Sequence, residues 1–372
     1  MTLAVAVPSP AETPVGTANG VSVTCLADGR VSKVSGDHLQ AVIDQKRAEE
    51  EAALKLAIPP DRETYLFKTM KHAFPKLRKI GAVSPWGECS PFVFKGRLMR
   101  MELADLARGF GDKNSTCCAL IRDVETGKVV GRTGEGCYYQ SVYVEGDTVY
   151  ITGTRRQPGL GVTYGDTILL FESKDLVNWT SREMLSRPGW HFYNSTMTKG
   201  PDGYVIALES DNLKHARRYF TMFFATSKDL KTWTHLPPDV CFPKHRYAGG
   251  PFIRYYNGFY YVALVTELPN ERYVTYLYRT ADFRHWECGR YNPLVICSRE
   301  DRQVSPTASE ISESFAKEIR TRFICSASDL EMCEFGGKTY INYLVGDQHG
   351  FGYMCEAWYD GPMGRLLEDF FK

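Results

Sequence analysis

From Ser84 onward the chain alternates apolar and polar positions in short runs broken by Gly-containing turns, the pattern of half-buried strands joined in hairpins. Five strand pairs follow: 88–96 with 97–102, 138–146 with 148–152, 193–203 with 204–209, 248–258 with 259–264, and 329–337 with 338–343. Asp202-Gly203 and Asn257-Gly258 are hairpin-turn dipeptides.

Between these pairs one phrase is written three times: Glu172-Ser-Lys-Asp-Leu-Val-Asn-Trp179, Thr226-Ser-Lys-Asp-Leu-Lys-Thr-Trp233 and Arg279-Thr-Ala-Asp-Phe-Arg-His-Trp286. Each copy follows an apolar, aromatic run, and the tryptophans recur at intervals of 54 and 53 residues. A fixed period of this size, built of short strands and turns, predicts a β-propeller with one four-stranded blade per period. The Asp belongs in a turn, the small polar residue before it starts that turn, and the Trp anchors the outer strand against the neighbouring blade. The fold expected is all-β, a five-bladed β-propeller over residues 84–372. The 299–322 stretch, with its helical run at 309–320, reads as an insertion between the last two blades.

Ahead of the strands, residues 1–35 are rich in Pro, Gly, Ser, Thr and Val without clear periodicity and predict a mobile tail. Residues 36–83 predict a helical extension. One helix spans 37–57, with apolar Leu39, Val42, Ile43, Leu54 and Leu56, and stops at Pro59-Pro60; a shorter one spans 63–74. These helices offer a surface to the propeller or to a second copy of the chain, a homo-oligomer; the sequence leaves both open.

Composition removes several function classes. A net charge of +1 gives no electrostatic case for nucleic acid or an anionic membrane, and no apolar run approaches the ~20 residues of a membrane span. The first residues lack a basic segment before an apolar core cut short by Pro8 and Pro10, so no secretory signal is read there. Eleven cysteines, an odd number without a CxxC, predict reduced thiols and a cytoplasmic protein; a signal peptide already removed would instead leave a secreted one.

In a propeller the start of each first strand and the end of each second strand share one rim, the natural place for a pocket. Reading those positions yields carboxylates from separate blades: Glu88, Glu209 and Asp329 as candidate catalytic groups, with Glu331 and Glu267 beside them. Clustered carboxyls raise one another's pKa, so a neutral acid and an ionised base coexist near neutrality. Gln140, Asn194, Arg155, Arg246, Tyr247 and His349 complete the rim, and Trp190 is placed to stack on a sugar ring. Glu102 is a candidate for a salt bridge at a blade seam. Asp329, Glu331 and Asp347 are oxygen donors of the kind Ca²⁺ or Mg²⁺ takes, but their spacing matches no loop motif, and no cofactor is expected.

The Ser-Lys-Asp-Leu-x-x-Trp phrases and Gly250-Pro-Phe-Ile-Arg-Tyr-Tyr-Asn-Gly-Phe-Tyr-Tyr-Val262 resemble the five-bladed propeller glycoside hydrolases of families 43, 32, 62, 68 and 117. Ala327-Ser-Asp-Leu-Glu-Met-Cys-Glu-Phe335 is similar to the last blade of a branch of bacterial glycosidase-like proteins. The resemblance covers residues 84–372 and implies a central pocket for a carbohydrate. It does not carry over the family's three carboxylates. Their places fall at Ser90-Pro91, at Gln140 or Ser141, and at Gly249. The function expected is a glycosidase-like enzyme acting on a small glycoside or an oligosaccharide end with relocated acid and base. The alternatives are a lyase, isomerase or cyclase on the same fold, or a carbohydrate-binding propeller without catalysis.

Overall fold

The computed structural model describes residues 74–105, 117–156, 164–212, 214, 220–269 and 272–372, with residue 48 and the backbone of 12–18, 21–26 and 31–35. The chain divides into two compact units, residues 1–59 and 60–372.

In the first unit β1 (Glu12–Ala18), β2 (Val21–Leu26) and β3 (Val31–Ser35) form an antiparallel meander. This corrects the expected mobile tail. The β-branched residues Val21, Val23, Val31 and Val34 favour extended backbone, and Asn19-Gly20 is a hairpin dipeptide. Composition alone hid both signals. The helices expected at 37–57 and 63–74 lie outside the described residues, save for helical Ala48 and irregular Phe74.

The second unit holds β4 (Leu77–Ser84), β5 (Gly87–Phe94), β6 (Arg97–Asp105), β7 (Cys117–Asp123), β8 (Val129–Thr133), β9 (Cys137–Glu145), β10 (Thr148–Arg155), β11 (Thr167–Ser173) and β12 (Thr180–Ser186). There follow β13 (Phe192–Gly200), β14 (Gly203–Ser210), β15 (Thr221–Ser227), β16 (Trp233–His235), β17 (Ala248–Tyr256), β18 (Phe259–Leu268), β19 (Arg272–Thr280) and β20 (Glu287–Cys288). The last are β21 (Ser326–Phe335), β22 (Lys338–Gly346) and β23 (Gly352–Tyr359), then a terminal helix, Met363–Asp369. All five strand pairs read from the sequence are antiparallel hairpins: β5–β6, β9–β10, β13–β14, β17–β18 and β21–β22.

Each hairpin opens a four-stranded sheet. Sheets β5–β8, β9–β12 and β13–β16 stand alone, whereas β17–β20 and β21–β23 are joined through a single parallel pair, Tyr273 with Ser326. The first strands β5, β9, β13, β17 and β21 contact one another in that order, and β21 returns to β5. The outer strand of the last sheet is β4, antiparallel to β23 with Leu77 opposite Tyr359. Residues 77–83 are therefore strand, not the end of a helical extension. Paired to the chain's far end, β4 has a partner no local pattern reveals.

The repeated phrase is a turn. Ser173, Ser227 and Thr280 each accept a backbone N–H within it, and Asp175, Asp229 and Asp282 each accept two more. Leu176, Leu230 and Phe283 take positive φ of 68°, 63° and 60°, and each Trp indole N–H donates to the carbonyl of that residue. Trp179, Trp233 and Trp286 then pack into the apolar seams between successive sheets. Such seams, with Ile151, Ile206, Phe224 and Phe252 fully or almost fully buried, supply about 1.5–3 kcal/mol per large apolar side chain.

The insertion is shorter in helix than its sequence suggests. It carries a 3-10 turn, Arg299–Arg302, and helix α1 (Glu313–Thr321), whose N-cap Ser312 accepts from Phe315 N. Ser309 and Glu310 stay outside the helix, tied into a network at the seam in which Ser309 is buried and Glu310 exposed. Ser309 Oγ donates to Glu102 Oε1 at 3.0 Å, Arg100 Nε to Glu102 at 2.9 Å, and Arg122 Nη2 to both Glu102 and Glu310 at 3.0 Å. Glu102 closes this seam as an ion pair.

Candidate active site

The first strand of each of these five sheets carries a β-bulge at the same rim. Glu88 is the extra residue of β5, and Tyr139-Gln140 bulge from β9. Tyr193-Asn194 of β13 face Glu209 of β14; Gly250-Pro251 of β17 and Asp329-Leu330 of β21 complete the set. Glu88, Tyr139 and Asp329 take positive φ of 47°, 55° and 48°, an uncommon conformation that clusters at functional sites. A bulge re-aims side chains out of the strand's alternation, and here it turns groups from separate sheets toward one point.

Three carboxyls meet there. The Asn194 amide donates to Glu209 Oε2 at 3.1 Å and to Asp329 Oδ1 at 2.9 Å, so these two oxygens lie no more than about 6 Å apart. Gly250 N donates to Glu209 Oε2 at 2.9 Å, Ser328 Oγ to Asp329 Oδ2 at 2.6 Å, and Gln140 N to Glu88 Oε2 at 3.1 Å. The paired glycines make the room. A Cβ on Gly249 would stand 2.9 Å from Glu209 Oε1, and one on Gly250 would stand 2.7 Å from Asp329 Oδ1. The Glu209 carboxyl thus occupies the space a side chain at 249 would fill.

Burial is the largest cause of each pKa shift, because it penalises the charged form. It pushes Glu209 up to about 8, with the Asp329 charge adding and the Gly250 and Asn194 hydrogen bonds opposing. Glu88 is raised well above the usual carboxyl range by burial and then by Asp329 and Glu209. Asp329 is raised as well, its Ser328 and Asn194 hydrogen bonds resisting. Tyr247, beside Glu209, is likewise pushed well up by burial and then by Glu209 and Asp329, which keeps its hydroxyl protonated.

Among these groups a space of about 20 Å³ is lined in part by Glu88, Ser90, Gln140, Asn194, Asp329 and Glu331. It admits one water, so anything larger enters from the rim. There Tyr139, Tyr193, Phe220, Tyr247 and Tyr273 form a partly exposed aromatic arc, neighbouring rings 4.8–5.6 Å apart. Among the described residues no group of three or more His, Cys, Asp or Glu is placed to hold a metal ion.

The structure brings together Glu88, Glu209, Asp329, Asn194 and Tyr247, sets Glu331 and the Gln140 backbone beside them, and separates the others. Glu331 lines the same space and is pushed up to about 7 by burial against the opposing charge of Arg254, 3.4 Å away. Gln140 contributes its backbone N–H; its amide is tied to the Gly134 and Cys137 carbonyls. Arg155 points outward to Glu183 at 2.6 Å, one step out of phase with buried Thr154. Arg246 lies exposed over the Tyr278 ring, lining a different surface groove with Lys244 and Trp286. Trp190 is buried beneath the Arg187 guanidinium, 3.7 Å from its ring, and edge-on to Phe223, so it anchors a loop and offers no sugar platform. Glu267 is exposed at the end of β18, its charge a minor contribution at Tyr247. His349 is exposed in a turn held by Asp347. The sequence reading missed Ser328 and most of the aromatic arc, each beside a position it did select or at a third-strand start.

No family model and no curated protein matches the chain. Solved structures do. One described as a glycoside hydrolase is 14% identical, with a TM-score of 0.53 over 82% of this chain and 97% of that one. A thermostable family-43 glycoside hydrolase is 15% identical over 75% of this chain and 89% of its own, at a TM-score of 0.49. A glycosyl hydrolase from Bacteroides ovatus is 11% identical over 76% of this chain and 85% of its own, at a TM-score of 0.48. The chain has the sheet architecture of glycoside hydrolase propellers.

Proposed function

We propose that the five four-stranded sheets are the blades of a five-bladed propeller, and that its rim cleaves a glycosidic bond at the end of an oligosaccharide or in a small glycoside. One observation carries this reading: Glu88, Glu209 and Asp329, from three sheets, converge at aligned bulges with one amide, Asn194, holding two of them.

Glu209, with a pKa of about 8, is protonated at neutral pH and is the group to protonate the leaving oxygen. Asp329, whose two oxygens accept from the Asn194 amide and from Ser328 Oγ, is the carboxylate. Glu88 stays neutral and spares the site a third charge. A separation of at most about 6 Å between the bonded oxygens of Glu209 and Asp329 falls short of the ~6.5–9.5 Å that leaves room for an inverting water. It suits direct attack by Asp329 on the anomeric carbon. Water then hydrolyses the glycosyl ester while Glu209, now deprotonated, accepts its proton. Tyr247 and the aromatic arc supply a hydroxyl and stacking faces for the ring.

The test is turnover of a panel of 4-nitrophenyl glycosides by the wild type and by Glu88→Gln, Glu209→Gln and Asp329→Asn. Full turnover by all three variants sinks the assignment. Proton NMR of the first-formed anomer should show retained configuration; inversion would remove Asp329 from the role of nucleophile.

A further inference from the structure

Outward of the carboxyls a second cluster has the form of a binding subsite. Asp211 follows Glu209 by two residues, a step of about 7 Å along extended backbone and comparable with the advance from one sugar ring to the next. Its Oδ2 accepts from the Tyr193 hydroxyl at 3.1 Å and pairs with His191 Nδ1 at 3.2 Å. A carboxylate only accepts, so Nδ1 carries the hydrogen, and in the neutral imidazole Nε2 then presents a lone pair. The His191 side chain is 41% exposed and Asp211 22%. The imidazole packs on Tyr164 with ring centres 4.4 Å apart, and Tyr164 lies 5.2 Å from Tyr193. Tyr193 shares its bulge with Asn194, the residue that holds the two carboxyls.

We infer that His191, oriented by Asp211, and Tyr164 form a second subsite, which takes the next ring of a hydroxylated, sugar-like ligand beyond the bond at Glu209 and Asp329. Nε2 accepts a hydroxyl hydrogen and Tyr164 offers an apolar face to the ring. Asp211 and Tyr193 fix the tautomer and position. The inference deepens the glycosidase reading and rests on the same rim, giving the ligand at least two units.

The experiment measures binding by the full chain carrying Glu209→Gln, so that hydrolysis does not intervene. The probes are xylose, arabinose, glucose and galactose against xylobiose, arabinobiose, cellobiose and lactose, followed by calorimetry and ligand-observed NMR. Adding His191→Ala should weaken the preferred disaccharide by about five- to tenfold, the usual scale of one hydrogen bond plus lost packing, and leave its monosaccharide within twofold. His191→Gln, which keeps an acceptor, should recover part of the loss, and Tyr164→Ala should reproduce it. Equal loss for both ligand sizes, no loss for either, or no recovery with Gln would overturn the subsite. Binding that depends on His191 while the wild type releases no monosaccharide would leave the subsite standing and remove the hydrolytic reading. If no probe binds, both fall.

Discussion

Glu88 and Glu102 belong to one hairpin, with Cys89 directly opposite Glu102, and both are buried. They have opposite surroundings. Glu102 sits between Arg100 and Arg122, with Ser309 on a remaining lone pair, at the seam where the insertion meets the first sheet. Glu88 meets a backbone N–H and the carboxyls of Glu209 and Asp329. The first arrangement is a charge neutralised by its partners; the second is an acid kept from its charge by burial and like neighbours. A buried glutamate thus says little until its partners are known. The pairing separates a joint of the fold from a group free to move a proton.

The contrast breaks most visibly at turnover. Removing the acid with Glu209→Gln should lower kcat by about 10²–10⁴-fold on glycosides with poor leaving groups, while circular dichroism and melting stay near wild type at pH 5. A drop in turnover matched by lost fold would make Glu209 another joint. Next in size is the seam. Glu102→Gln leaves buried Arg100 without its carboxylate and Arg122 with Glu310 alone, and should cost about 3–5 kcal/mol in urea unfolding, with the kcat of folded protein retained. Loss of kcat without loss of stability would erase the distinction.

The smallest effect lies in the pH dependence of stability. Glu209 is raised from 4.5 to about 8 and Glu331 to about 7, with Glu88 and Asp329 raised too. Across that window the folded chain binds more protons than the unfolded one. Stability present below pH 4.5 is therefore lost as pH rises through the folded values. Wild-type melting temperature should fall between pH 5 and 8, and Glu209→Gln should flatten the slope, gaining about 1–3 kcal/mol on wild type at pH 8 relative to pH 5. A wild-type curve rising over that range would contradict the shifts.

What the sequence disclosed and withheld follows the range of each interaction. The three turns, Ser-x-Asp-Leu-x-x-Trp twice and Thr-x-Asp-Phe-x-x-Trp once, are local, complete within a few residues, and so readable three times over. Glu88, Asn194 and Asp329 could be set at one rim from sequence because strand starts are marked by the hairpins that follow. Arg155, Arg246 and Trp190 were misjudged because strand position does not give side-chain direction. Arg155 falls one residue out of phase, Arg246 precedes its strand, and Trp190 is capped by Arg187. The bulges leave no sequence mark beyond Gly250, and β4 pairs with a strand at the other end of the chain. The Gly249 vacancy and the Glu209 carboxyl that fills it are a compensation between two sheets, legible only in three dimensions.

The central claim is that burial and like-charged neighbours at the rim keep the proton on Glu209 at neutral pH. Carbon-13 NMR titration of glutamate-labelled wild type and Glu209→Gln tests it most directly. A carboxyl signal titrating near pH 8 that disappears in the variant is the predicted result. A Glu209 signal titrating at the usual carboxyl value, near 4.5, would contradict it.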